Sequence, residues 1–424
     1  MIHRILISVA FCLAGATGHA QMKKKPATAT YDLLLRGAKV VDPRSGLDGR
    51  YDVALVADRV VRIARRIPAD SAKRVADLRG CLLVPGLIDL HTHVFAGSAP
   101  NRFADGLSSV NPDHHCPMNG VTTVVDAGTS GWRNFELFRR QIMEGSRTRV
   151  LAFLNIAGKG MMGKPSEEDT TDMEVAPALD MMRRHSDRIV GVKVGHFERP
   201  GRHPWLSART LARQAGKPLF VECHLPDISL EEQLAGLDKG DIITHSFEQV
   251  RERKPITDSL GAVIDAVMEA RARGVLFDLG HGGAGFWFDQ AIPAIRSGFL
   301  PNTLGTDLHR SSIAGSMKSL PNVLSKCLAM GMTLRETIER ATWAPAQAIG
   351  RQDLGHLSEG SIADITVLRM EKGRFGFQDA GGERIRGRWN LVADMTIREG
   401  RVIWDLQGRL SQSWNRGMLN GPEK

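Results

Sequence analysis

Apolar β-type runs recur along the chain at intervals long enough to hold a helix each. They are LIDLHTH (87–93), VTTVVDAG (121–128), LAFLNI (151–156), IVGVKVGH (189–196), PLFVECH (218–224), DIITHSF (241–247), VLFDLGH (275–281) and TLGTDLH (303–309). The intervals carry helix-spaced apolar positions, as in NFELFRRQIMEG before LAFLNI and SARTLARQAG before PLFVECH. Strands alternating with helices pair in parallel, and eight such units predict an α/β fold, a closed (β/α)8 barrel of the TIM type. The flanks follow a different rhythm. YDLLLRGAKVVD and YDVALVADRVVRIA on one side, SIADITVLRM and ADMTIREGRVIWD on the other, alternate with period two. They predict a small β-sandwich domain built from both chain ends, residues 21–85 and 356–424 with a C-terminal tail, around a barrel at 86–355.

Residues 1–20 stand outside that fold. A basic Arg4, an apolar run from Ile5 to Ala16 and Gly-His-Ala before Gln21 match a cleaved secretory signal, so a periplasmic or secreted location is expected. Phe11 is too bulky for the position before a lipidated Cys12, and no later run supplies about 20 apolar residues, so no membrane anchor is expected. Losing Arg4 lowers the formal charge from +9 to +8, and the only tight basic run, Lys23-Lys24-Lys25, reads as a solvated tail. No aromatic residues interleave with this charge, so nucleic acid is excluded as a partner and a small-molecule substrate is favoured; a homo-oligomer is compatible with the chain. The remaining cysteines, Cys81, Cys116, Cys223 and Cys327, are dispersed and argue neither a disulfide framework nor a cysteine metal site.

Chemistry gathers at the ends of the predicted strands, where barrels of this type carry their reactive groups. His91 and His93, two apart on a strand, share a face, and paired neutral imidazoles are good ligands for a divalent cation. The same pattern also arises when two histidines merely close a strand. Strand four adds Lys193, strand five Glu222 and His224, strand six His245 and strand eight Asp307. A set of metal-ligand residue types at successive strand ends is not what core packing alone produces.

Through GLIDLHTHVF, VTTVVDAGTSGWRNFELFR, AFLNI, VGVKV, THSF, FDLGHGGAGFWF, GTDLH and GSIADITVL, the chain resembles metal-dependent hydrolases of the amidohydrolase superfamily. The resemblance is to their dihydroorotase-like, amidohydrolase/deacetylase branch and runs from about residue 35 to 368. It implies two divalent ions, usually zinc. His91, His93 and Asp307 would hold one, and His245 with a strand-five residue the other. Lys193 falls on a lysine that such enzymes often carboxylate, and Asp307 on the general base, later acid, that serves a metal-activated hydroxide.

Strand five departs from the pattern, with Glu222 where relatives place a histidine. Three readings follow: Glu222 is the ligand, His224 replaces it, or Glu222 pairs with an uncarboxylated Lys193 and leaves a single-metal site. Substrate contacts are expected from His281, Gly282 and Gly283 in GHGGAG, from Lys159 after strand three and from His196 after strand four. His203 is a further pocket candidate; Asp126 is read as loop support, and His114, His115 and Cys116 as structural. The implied activity is hydrolysis of an amide or ester bond in a small carboxylate-bearing molecule, such as an N-acyl amino acid, an acylated hydroxy acid or a short peptide. Dihydroorotases place an arginine two residues after the second histidine; here it is Phe95. The alternatives are opening of a cyclic amide, as in dihydroorotases and hydantoinases, deamination, and a non-catalytic scaffold on the same fold.

Overall fold

The alternating N-terminal flank folds into β1 (Tyr31–Asp42), β2 (Leu47–Val56), β3 (Arg59–Ala64), β4 (Ala72–Asp77) and β5 (Leu82–Pro85) of a computed structural model that describes residues 30–95, 108–222, 227–249 and 253–411. The predicted signal segment, Lys23 to Lys25, Cys223 and His224 lie outside the described residues. Next come β6 (Leu87–Thr92), β7 (Val121–Gly131), β8 (Arg149–Asn155), β9 (Ile189–Val194), β10 (Leu219–Val221), β11 (Ile242–Ile243) and β12 (Leu276–Phe277). The chain closes with β13 (Ile365–Gln378), β14 (Arg384–Arg398) and β15 (Arg401–Asp405).

Strands from both chain ends join in one mixed sheet of eight, ordered β15-β14-β13-β5-β1-β2-β3 with β4 on β1. By hydrogen bonding this is a single continuous sheet in which the strands of both flanks take part. Strand β5 shows how the period of two serves it. Leu83 faces the sheet's own core with Leu35, Val53, Val367 and Met395, while Leu82 and Val84 face the barrel. At Gly86, where the chain passes from sheet to barrel, a Cβ would lie 2.2 Å from Thr122 Oγ1, so only glycine makes the crossing.

Strands β6 to β12 pair in chain order, all parallel. The predicted eighth strand is not a regular one. Residues 303–308 close the ring through two isolated parallel bridges, Asp278 to Thr303 and Thr92 to Leu308. Side chains take the backbone donors that a ladder would use: Gly305 N donates to Asp278 Oδ1 (2.9 Å) and Thr306 N to Asp89 Oδ1 (3.0 Å). Beneath the strand ends, Leu151, Phe153, Phe220 and Ile242 fill the barrel, with Phe153 and Phe220 stacked 4.6 Å apart. The segment before β8 is helical as expected, an α turn at Phe135–Phe138 running into a π turn at Arg139–Met143, and His203–Ala215 precedes β10. Among the described residues, no helix is long and apolar enough to cross a membrane.

A buried ion cluster fastens sheet to barrel. Arg149, at the start of β8, bonds Asp364 through Nη1 and Glu399 through Nη2 (2.8 Å), and Asp364 accepts the Glu399 amide at 2.8 Å. Removing the guanidinium would leave a buried carboxylate without its cation. Arg149→Met is therefore expected to destabilise the fold by about 3 kcal/mol, read as a lower thermal midpoint. An unchanged midpoint would show that the cluster does not hold the two parts together.

Candidate metal centre

Three side chains from opposite edges of the barrel seam meet at one point. His93 Nε2 lies 3.1 Å and His91 Nε2 3.4 Å from Asp307 Oδ1. His91 also faces a second set, Glu222 and His245, and in each set the potential ligand atoms all lie within 4.8 Å of one another. His245 Nε2 is 2.8 Å from Glu222 Oε1.

The outer nitrogens of the three imidazoles decide what the inner ones can do. His245 Nδ1 sits 2.6 Å from the Gly280 carbonyl, which only accepts, so Nδ1 carries the proton. His91 Nδ1 is 3.0 Å from Thr244 Oγ1, whose own proton goes to Asp278 Oδ2 (2.8 Å), and His93 Nδ1 is 3.0 Å from Thr129 Oγ1, itself bonded to the Asp126 carboxylate. Each ring is thus a donor outward and, when neutral, presents an Nε2 lone pair inward. This is the arrangement of metal-ligating histidines, held by hydroxyl, carboxylate or carbonyl partners. The buried His91 Nε2 makes no hydrogen bond, which in a protein interior marks a site for a missing partner. A divalent cation fits this donor set of two imidazoles and a carboxylate.

At His91, charge agrees with that reading. Burial pulls His91 down to about 4, so the ring is neutral near pH 7. Burial also opposes ionisation of Asp307, but His91, His309 and His93 outweigh it and hold the carboxyl well below its ordinary range. In the second set burial works against the charges and loses: Glu222 raises His245 to about 9, while His196 and Lys193 keep Glu222 well below the usual carboxylate range. Glu222 gathers cations. Lys193 Nζ bonds its Oε2, and His196 Nε2 lies 3.1 Å from Oε1 with Nδ1 2.8 Å from Glu167 Oε1. His196 is driven to about 10, since burial is outweighed by Glu222 and Glu167.

Two cavities open onto the centre. One, of about 250 Å³, is lined by His93, Met161, Glu167, His196, Asp307 and His309 among others; the second, of about 290 Å³, by His196, His245, Glu248, Gly283 and Asp307. His91, His93, Lys193, Glu222, His245 and Asp307 are brought together, and His196 and Gly283 line the openings. The remaining expected substrate contacts lie outside these two openings. His281 is fully buried, stacked on Phe286 at 4.7 Å, and lines neither cavity. Gly282 packs under the Asp307 carboxylate, where a Cβ would lie 2.2 Å from its Oδ2. The Lys159 side chain is exposed on its loop and lines neither cavity, as does His203 at its helix start. His114, His115 and Cys116 join no metal-capable group among the described residues, and Asp126 supports the loop by accepting from Val94 N and Thr129 N, both at 2.8 Å.

Several residues of the centre were not singled out from the sequence. Asp89 lies two residues before His91, and His309 two after Asp307; the period of two could have found both. Glu167 ends the helical turn Lys164–Glu167, Glu248 comes from a loop, and Thr244 and Asp278 act behind the histidines; no sequence pattern marks them.

The family model described as "Amidohydrolase family" matches residues 82–402. A deacetylase of Agrobacterium fabrum is 31% identical over 330 residues, covering 76% of this chain and 78% of that protein. A deacetylase of Brucella anthropi is 32% identical over 347 residues, 79% of this chain and 83% of its own. Among solved structures, an adenine deaminase superposes with a TM-score of 0.78 at 27% identity, covering 88% of this chain and 100% of that one.

The outer hydrogen bonds are open to test. Thr244→Val removes the acceptor for His91 Nδ1 without a change of size, and a loss of about 10–100-fold in zinc affinity is expected in chelator competition. Wild-type affinity would mean that Thr244 does not orient the ring.

Proposed function

The chain belongs to the amidohydrolase family, a group of metal-dependent C–N bond hydrolases, and from that premise we propose that it cleaves an amide or ester bond in a small carboxylate-bearing substrate. N-acyl amino acids, acylated hydroxy acids and short peptides are the classes we put forward. The observation that carries this reading is the buried His91 Nε2, without a hydrogen bond, facing His93, Asp307, Glu222 and His245 at one point. The deacetylase names of the relatives in A. fabrum and B. anthropi support amide hydrolysis. Phe95 supports a substrate other than a dihydroorotate: its side chain is core, packed on Phe138 at 4.7 Å, and offers no charge to a ligand.

Divalent ions, for which we favour two zinc ions, would acidify water and polarise the scissile carbonyl. The chain's own groups then divide the work. His91, His93 and Asp307 would hold one ion; Glu222 and His245, with His91 nearby, would hold the other. Glu222 is the strand-five ligand we propose, since it stands 2.8 Å from His245. An ammonium on Lys193 would be repelled by a dication beside Glu222, whereas its carbamate would contribute oxygens; we therefore include carboxylated Lys193 in the loaded centre. Asp307 faces both cavities, so its Oδ2 can take a proton from water and pass it to the leaving nitrogen or oxygen. His196 and His309 stand on the cavity walls, where they would flank a bound substrate. A deaminase reading draws on the 0.78 superposition with adenine deaminase; ammonia as the product would establish it.

Two experiments bear on this reading. Asp307→Asn is expected to retain two ions per chain while losing nearly all turnover of N-acyl amino acids, followed as free amine and carboxylate. Wild-type turnover would remove Asp307 from proton transfer, and one ion per chain in the wild type would remove Glu222 and Lys193 from the ligand set. We also propose export on the strength of the signal-like first twenty residues. Mass spectrometry of the native protein should find a chain beginning at Gln21; an intact Met1 would refute it.

A further inference from the structure

Lys326 occupies a position that a soluble fold gives no reason to charge. It lies on the helix Leu320–Met330, fully buried among Val323, Leu324, Cys327 and Met330. An ammonium there loses its hydration, and burial lowers this amine to about 7. Two contacts offset that loss: Nζ is 2.6 Å from His281 Nε2 and 2.7 Å from the Ser316 carbonyl. The His281 tautomer is set to receive it, because Nδ1 lies 3.0 Å from the Gly282 carbonyl and so holds the proton, leaving Nε2 to accept.

What His281 holds is the turn under the metal centre. His281 N and Gly282 N donate to the carbonyls of Gly305 (3.2 Å) and Thr306 (2.9 Å), the two residues before Asp307. Gly282 lies so close to Asp307 Oδ2, and Gly280 and Gly285 so close to the His245 ring, that a Cβ at any of them would collide. The Gly280 carbonyl receives the His245 Nδ1 proton at 2.6 Å. A shift of this turn therefore moves a ligand from each of the two sets. The far end of the loop is held as well: Phe288 N donates to Asp379 Oδ2 (2.9 Å) and Ala380 N to the Phe286 carbonyl (2.9 Å), both acceptor and donor coming from the β13–β14 hairpin tip.

We propose that Lys326 is a positioning residue for the metal centre: through His281 it fixes the 280–285 turn, and that turn sets the placement of His245 and Asp307. The inference rests on the metal-centre reading given above. It explains why His281, although far from open space, sits within the strand-seven motif, and why a cation is kept in an apolar helix face.

Zinc alone is the probe. Full-length metal-free chain, with Lys326→Met, His281→Phe and the double variant, is titrated with zinc against a chelating dye, and cobalt-loaded samples are compared by visible absorption. Met is an apolar near-match for the lysine stem, and Phe keeps the stacking on Phe286. Each single variant is expected to weaken zinc binding about 10-fold or more and to alter the cobalt bands, both read on samples kept well below their thermal midpoints. The double variant is expected to be no weaker than the worse single one, because the pair acts as a unit. Wild-type affinity and cobalt bands in the singles, or losses that add in the double, would overturn the proposal; should Lys326→Met not fold, His281→Phe alone decides it on the same readouts. Failure of the wild-type chain to bind zinc stoichiometrically would instead bring down the metal-centre reading itself.

Discussion

Every imidazole of the centre is held at its outer nitrogen by an acceptor, so that its inner nitrogen, once unprotonated, points a lone pair into the centre, and the remaining features follow from that constraint. A histidine free to swap tautomers would offer a donor to a cation half the time. Here the Gly280 carbonyl, the Asp278–Thr244 pair and the Asp126–Thr129 pair each fix the ring. Asp278 does more, since it also accepts from Thr303 Oγ1 (2.6 Å) and Gly305 N. One carboxylate thus ties the orientation of His91 to the irregular segment that carries Asp307.

The same demand explains why the strands are short where the chemistry is dense. His245, Asp307 and His196 have φ of 54°, 50° and 59°, in the left-handed region that non-glycine residues avoid. A strand cannot continue through such a residue, so β11 shrinks to two residues and the eighth strand survives only as bridges. Aiming the side chain inward has displaced ladder hydrogen bonds. The polar groups of Asp89, Thr306 and Asp278 replace them, which keeps the buried backbone satisfied.

These two effects mark the border of what was legible in the chain. Period-two and helical spacing carry the order of parallel strands and the strand-end positions of His91, His93, His245 and Asp307, because both depend on local backbone geometry. The GHGGAG segment is ambiguous in sequence for a physical reason. Glycines that let a backbone approach a ligand look, in sequence, like glycines that let it approach another side chain, and here Gly282 and Gly285 make room for Asp307 and His245. Glu167 escaped because it reaches His196 from a single helical turn, too short to show a period. Lys326 escaped because its helix reads as apolar core, and nothing local signals that a partner 45 residues away awaits its charge. The paired flanks were legible as strands, but whether they stack or join edge to edge depends on long-range pairing such as β5 with β13.

That pairing also bears on how the mixed sheet serves the barrel. It touches the barrel at both ends. Near the strand starts, Asp364 and Glu399 clasp Arg149, and Thr366 Oγ1 receives the Leu87 amide at 3.2 Å. From there β13 and β14 run together to a tip at Asp379 that holds the loop following strand β12. Along the way Ser325 Oγ accepts the Leu391 amide at 2.9 Å, so the helix carrying Lys326 is fastened to the same hairpin. A barrel alone would leave its strand-seven loop attached only at its two ends. With the hairpin as a brace, the loop is anchored at Phe286 and Phe288 as well as at His281, and the candidate ligands His245 and Asp307 rest on a turn held at both ends.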